Sequence, residues 1–192
     1  EPLSGQTNME NHIKDSEQKM KGAIDHLHIE LGKVRTGRAS VALVEDLKID
    51  YYGNPSPLSQ AATLGVPDSK TITIAPWDSS LVPVIEKAIQ GSDLGLTPSN
   101  DGKTIRLTIP PLTTDRRLQL TKVVKKYGED CKIAIRNIRR DFNDKLKAME
   151  KDHYLSKHEE RKGQDVIQKA TDKFVAEVDK IVQGKEKDVL EG

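Results

Sequence analysis

Between Leu120 and Met149 an apolar or small side chain recurs every three or four positions, through Val124, Tyr127, Cys131, Ala134, Ile138, Phe142 and Leu146. Only a helix gathers such positions on one face. The pattern predicts a helix over roughly 113–152, about 60 Å long at 1.5 Å per residue. A helix of that length with a single apolar stripe must bury it against other elements. Two further stripes supply the partners. Ile13, Met20, Ile24, Leu27, Leu31 and Val34 mark a helix over 9–36, and Ile167, Ala170, Phe174, Val178 and Ile181 mark a third. The ends carry start signals. Thr113 or Thr114 caps the long helix, with Asp115 in its first turn where the helix dipole favours a carboxylate. Ser156 and Glu159 have the spacing of a capping box ahead of the third helix. Three long one-sided helices make a three-helix bundle.

Residues 37–111 follow another grammar. LKIDYY, TITIAP and TIRLTI are short β-branched or aromatic runs punctuated by Gly53, Pro55, Pro57, Gly65, Pro67 and Pro76, and LVPVIEKAIQGS between them reads as one helix. Tyr51 and Tyr52 would alternate faces on a strand, one in the core and one outward. The fold class is therefore α+β: a bundle formed by 1–36 and 112–192, with a small β/α/β domain of residues 37–111 inserted between its first two helices. Thr36 and Gly37 mark the way out, Pro110 and Pro111 the way back, and these four are the predicted hinge. A glycine frees the backbone at one junction, and paired prolines stiffen the other.

Length, composition and cysteine usage narrow the class. A chain of 192 residues, 35% hydrophobic and 32% charged, suits a helix-rich protein with a sizeable core. No apolar run approaches the roughly 18 residues of a membrane span. Cys131 is the only cysteine, so neither an internal disulfide nor a thiolate zinc cluster is available, and a reducing compartment fits. The chain opens EPLSGQTNME, which lacks a secretory pattern; this lead reads as an expression remnant or as the trimmed end of an organelle-targeted precursor.

The formal net charge of +1 conceals an uneven distribution. Residues 116–147 hold 11 basic and four acidic side chains, while 1–36, 37–111 and 148–192 each carry slightly more acid than base. One segment of the long helix thus supplies the positive field, as a polyanion-binding stripe requires. Within it, Arg136, Arg139 and Arg140 stand at i, i+3 and i+4 and so share a helix face.

The runs Arg35–Ser40 (RTGRAS), Asp50–Leu58 (DYYGNPSPL), Ser92–Pro98 (SDLGLTP), Ile109–Thr113 (IPPLT) and Ile135–Asp141 (IRNIRRD) together closely resemble the ribosome recycling factor family. The resemblance runs in order from about residue 9 to 190. The family commonly has threonine where Asn54 stands, and asparagine serves equally in a turn. The resemblance implies an L-shaped molecule, a three-helix bundle hinged to the smaller domain, that binds the ribosome after termination. With elongation factor G and GTP such a factor separates the subunits, so that messenger and transfer RNA are released. It also implies that the bundle face meets large-subunit ribosomal RNA, through Lys132, Arg136, Arg139 and Arg140, with Arg139 foremost. Arginine suits this work because its planar fork grips phosphate bidentately and stacks on bases. Arg140 could instead pair with Asp144 at i+4. Arg35 and Arg38 beside Gly37 could reach RNA, or could bond the terminal carbonyls of the first helix. The expected protein is a monomer without cofactor, metal or membrane contact, working in the bacterial cytoplasm, or in the mitochondrial matrix or chloroplast stroma after loss of a transit peptide.

Enzyme signatures are absent from the sequence. TGRAS lacks the GxxxxGK[ST] pattern and follows a helix, so it is no nucleotide loop. His158-Glu159 begins like a zinc-protease motif, but Lys162 stands where the second histidine belongs. His26 and His28, two apart, point to different helix faces. Cys131 falls on the apolar stripe, as a small core residue does. Two other readings remain beside recycling: a general RNA-binding or chaperone protein independent of any GTPase, and an RNA-processing enzyme, for which no catalytic constellation is visible.

Overall fold

The structure, a computed structural model, describes the backbone of residues 2–191 and the side chains of residues 8–191. The side chains of the N-terminal lead up to residue 7, and Gly192 of the tail, lie outside the described residues. Among the described residues four α-helices and six strands follow in order: α1 (Pro2–Gly32), β1 (Lys48–Tyr51), β2 (Asn54–Pro57), β3 (Ala62–Asp68), β4 (Thr71–Pro76), α2 (Val82–Gln90), β5 (Pro98–Asn100), β6 (Ile105–Thr108), α3 (Thr114–Lys151) and α4 (Lys157–Glu191). The fold is α+β. The chain divides into two compact units, residues 1–34 with 119–188, and residues 35–118 with 189–192.

The first unit is built from α1, α3 and α4. Met20, Ile24, Leu27 and Leu31 of α1, Val124, Ile135, Phe142 and Leu146 of α3, and Ile167, Phe174 and Val178 of α4 are all buried. Both start signals are realised. The Thr113 hydroxyl accepts from the Arg116 amide at 3.1 Å, and at α4 the Ser156 hydroxyl accepts from the Glu159 amide while the Glu159 carboxylate accepts from the Ser156 amide, at 3.1 and 3.2 Å. Two glycines that periodicity passes over set how closely the helices approach. A Cβ on Gly128 would lie 2.5 Å from a methyl of Val182, and one on Gly163 would lie 2.6 Å from Leu146 and 2.9 Å from the Met9 sulfur.

Three details depart from the periodic reading. α1 ends at Gly32, not at 36, and Val34 is buried beyond it. Ile135, which the stripe omits, is fully buried, whereas Ile138, which it includes, is half-buried. The buried line of α3 runs through Val124, Gly128, Cys131, Ile135, Phe142 and Leu146, and it meets both neighbours: Cys131 bonds the Ala23 carbonyl of α1, and Gly128 lies against Val182 of α4. On α4 a polar residue joins the stripe: Thr171 is buried, its hydroxyl donating to the Ile167 carbonyl at 2.7 Å.

In the second unit β1 and β2 form a hairpin, and β3-β4-β6-β5 form an antiparallel four-stranded sheet. Ile49, Leu58, Ile72, Ile74, Ile85, Ile89, Ile105 and Leu107 form its core. The expected strands appear as β1, β4 and β6, and the expected helix as α2, entered through a short 3-10 turn capped by Asp78. The strands β2, β3 and β5 went unread because Pro55, Pro57, Gly65, Pro67 and Pro98 look like punctuation. Each of these strands is paired on one side only, where a proline's missing donor costs no ladder bond. Tyr52 is not on a strand. With φ of 51° for Tyr52 and 84° for Gly53, the pair forms the left-handed two-residue turn of the hairpin, and Tyr52 projects into solvent while Tyr51 packs on the core.

Candidate nucleic-acid interface

The α3 face that carries the sequence's charge excess is held by the same buried line. With Ile135 and Phe142 fixed in the core, Arg136 and Arg139 are half-buried and Arg140 is exposed. Among the described residues no ion pair involves any of the three, and Arg140 does not pair with Asp144. Arg139 is anchored differently. Its Nη1 donates to Oε1 of Gln168 on α4 at 3.4 Å, and Nε2 of Gln168 donates to Asp172 at 2.9 Å. One turn further along α3, the side-chain oxygen of Asn143 is buried without a hydrogen-bond partner among the described residues.

Lys132 stands apart from the arginines. Its ammonium, with the side chain only 15% exposed, lies between Glu129 at 3.4 Å and Asp179 of α4. The hydrogen bond to Asp179 holds its pKa above the ordinary lysine value, chiefly ahead of the Glu129 contribution. Two carboxylates thus compensate this cation within the bundle. Sequence spacing revealed Glu129 three positions away; Asp179 belongs to another helix and was not legible.

The residues predicted at the elbow come together in the second unit. Arg35, Thr36, Gly37, Arg38, Pro110 and Pro111 all line one small cavity of about 60 Å³. Gly37 is buried with φ of 78°, a conformation glycine adopts without steric cost, and its carbonyl accepts from Lys70 at 3.1 Å. Arg35 bonds the Leu94 carbonyl, not the end of the first helix. Arg38 is exposed, and among the described residues its guanidinium makes no hydrogen bond or ion pair.

Elsewhere the chemistry is quiet. Cys131 is buried, its Sγ donating to the Ala23 carbonyl at 3.4 Å, and burial pushes its thiol up to about 11. His26 pairs with Glu30 at 3.7 Å. Among the described residues no three histidine, cysteine or carboxylate side chains are grouped to hold a metal ion, and no helix is long and apolar enough to cross a membrane. Among the exposed aromatic rings, Tyr52 is the outward member of the Tyr51–Tyr52 pair, whereas Trp77 and Tyr154 escaped the sequence reading. Tyr52 donates to Asp78 at 2.7 Å, and Trp77 donates to Thr63 at 3.3 Å.

Fold and surface together define a class: an α+β protein of two units whose longest helix, α3, carries Arg136, Arg139 and Arg140 without a carboxylate partner among the described residues. Comparison with known proteins gives the particular family. The family model described as ribosome recycling factor matches residues 27–190, and the chain belongs to that family. It is 52% identical over 183 residues to the ribosome-recycling factor of Oleidesulfovibrio alaskensis, covering 95% of this chain and all of that protein. The Brevibacillus brevis ribosome-recycling factor is 51% identical over 179 residues, covering 93% of this chain and 97% of that one. Among solved structures, the solution structure of a ribosome recycling factor matches with a TM-score of 0.77 at 38% identity, over 96% of this chain and 98% of that one. A second describes the T. thermophilus ribosome recycling factor and E. coli elongation factor G bound to the E. coli post-termination complex. It matches with a TM-score of 0.66 at 42% identity, over 95% and 98% of the two chains.

Proposed function

We propose that this chain is a non-enzymatic translation factor that binds post-termination ribosomes and, with elongation factor G and GTP, separates the subunits so that messenger and transfer RNA leave. Family membership and the solved relative placed on a post-termination complex with elongation factor G support the reading. The single observation that carries the binding step is the α3 face, where Arg136, Arg139 and Arg140 have no carboxylate partner among the described residues. Guanidinium groups left uncompensated on a rigid helix are ready to take phosphate, and their counterpart is large-subunit ribosomal RNA. Arg38 contributes a further contact from the elbow. Lys132, compensated by Glu129 and Asp179, serves the bundle more than the RNA contact, and Arg35 serves the fold of the second unit. The inserted domain over 37–111, hinged at Thr36, Gly37, Pro110 and Pro111, is the part on which elongation factor G acts. The factor works as a monomer, and the bacterial origin of its named relatives favours the cytoplasm of a bacterium.

Subunit separation followed by light scattering tests this. Post-termination ribosomes given the chain, elongation factor G and GTP together should dissociate, and omission of any one should leave them associated at modest concentration. Equal dissociation without elongation factor G would indicate a general RNA-binding activity instead, and cleaved RNA would indicate an enzyme.

A further inference from the structure

The bundle holds two of its cations in opposite ways. Lys132 is fixed by Glu129 and Asp179, so its charge is compensated where it stands. Arg139 meets an amide instead: Gln168 accepts from its Nη1 through Oε1 at 3.4 Å, and nothing anionic touches the guanidinium among the described residues. The orientation of that amide is itself determined. Nε2 of Gln168 donates to the Asp172 carboxylate at 2.9 Å, one turn along α4, which leaves Oε1 turned toward Arg139. The backbone beneath is anchored, since Gln168 stands next to Ile167 and three positions before Thr171, both buried.

We propose that Gln168, oriented by Asp172, is a positioning residue for Arg139: it restricts the guanidinium to one direction while leaving the full positive charge for phosphate. A carboxylate in the same place would hold the arginine as firmly but would neutralise it. Pre-orientation of this kind raises affinity by reducing the side-chain freedom lost on binding. The proposal rests on the reading that Arg139 meets ribosomal RNA, and the test separates the two.

Binding of the large ribosomal subunit is measured across a range of salt for the wild type, Arg139→Ala, Gln168→Ala, Gln168→Met, Gln168→Glu and the double variant Arg139→Ala/Gln168→Ala. Arg139→Ala should weaken binding about tenfold or more and lower the steepness of log K against log salt by about 0.7 to 0.9, the share of one phosphate. Gln168→Ala should weaken binding about threefold to tenfold with the salt slope unchanged, because the charge remains and only its orientation is lost. Gln168→Met keeps the length and packing of the side chain without the acceptor, and should match Gln168→Ala. Gln168→Glu should lower the slope as Arg139→Ala does, since its carboxylate competes with phosphate. In the Arg139→Ala background the Gln168→Ala change should have no further effect. Should Arg139→Ala weaken binding while Gln168→Ala and Gln168→Met bind like wild type, or should the two losses simply multiply, Gln168 has no positioning role. If Arg139→Ala itself binds like wild type, the reading of the α3 face fails and the proposal falls with it.

Discussion

Arg139 and Ile135, one helical turn apart on α3, divide function from stability at single-residue resolution. Ile135 is fully buried, so Ile135→Asp places a charge in the bundle core and should destabilise the protein by about 3 to 5 kcal/mol. Ile138→Asp, at a half-buried position, should cost much less, and thermal melts of the two variants would show the order reversed if the helix were phased on Ile138. Arg139→Ala should leave the melt unchanged and weaken ribosome binding about tenfold, as loss of a charge-assisted hydrogen bond worth about 1.5 to 3 kcal/mol implies. Unaltered affinity in a well-folded Arg139→Ala protein would remove that arginine from the interface. Cys131 offers a check on burial: with its thiol raised to about 11, it should resist thiol reagents near pH 7.5 and react only once denaturant opens the bundle. Rapid labelling of the native chain would contradict its place in the core. The arginine cluster was legible in the sequence because charge excess and i, i+3, i+4 spacing are local. The pairing of Lys132 with Asp179 and of Arg139 with Gln168 was not, because each joins α3 to α4 across dozens of residues.

Helices and strands were legible to different degrees, for a physical reason. Three stripes gave the bundle helices, and local side-chain to backbone bonding gave the starts of α3 and α4, because caps are written within four residues. The sheet was half legible. Central β4 and β6 declare themselves by alternation, whereas β2, β3 and β5 tolerate proline on their unpaired sides and so resemble loops. Glycine inside the helices was the least legible feature, since its meaning lies in the neighbour it admits. Gly22 and Gly128 should answer the same substitution with opposite signs. Gly22 is exposed with open space around its Cα, so Gly22→Ala should stabilise by about 0.5 to 1 kcal/mol through helix propensity. Gly128 faces Val182, and there the methyl must force the helices apart; overpacking of about 1 to 3 kcal/mol outweighs the propensity gain. Denaturant midpoints that shift in the same direction for both would show that Gly128 is no close-packing site.

For the whole molecule, the proposed function places binding in the bundle and subunit separation in the complete chain. The two units have separate sets of internal contacts, and the arginine face lies wholly in the first. Ribosome binding by the intact chain should be steeply salt-dependent, with log K falling against log salt at a slope of about −3 to −4 for roughly four phosphates. Removing Arg136 and Arg139 together should flatten that slope. A double variant that loses affinity at an unchanged slope would show that these residues act by stacking or folding, not by phosphate neutralisation. Gly37→Pro should impair subunit separation more than binding, because proline's fixed negative φ is incompatible with the 78° that Gly37 adopts at the junction. The most direct measurement uses a chain with residues 37–111 removed and Thr36 joined to Leu112 by a short flexible linker, assayed beside the intact protein by sedimentation with large subunits and by light scattering with elongation factor G and GTP. The fragment should cosediment with the large subunit and compete with the intact factor, yet leave post-termination ribosomes associated. Subunit separation by the fragment equal to that of the whole chain would leave the inserted domain no part in the work and would contradict the proposed function.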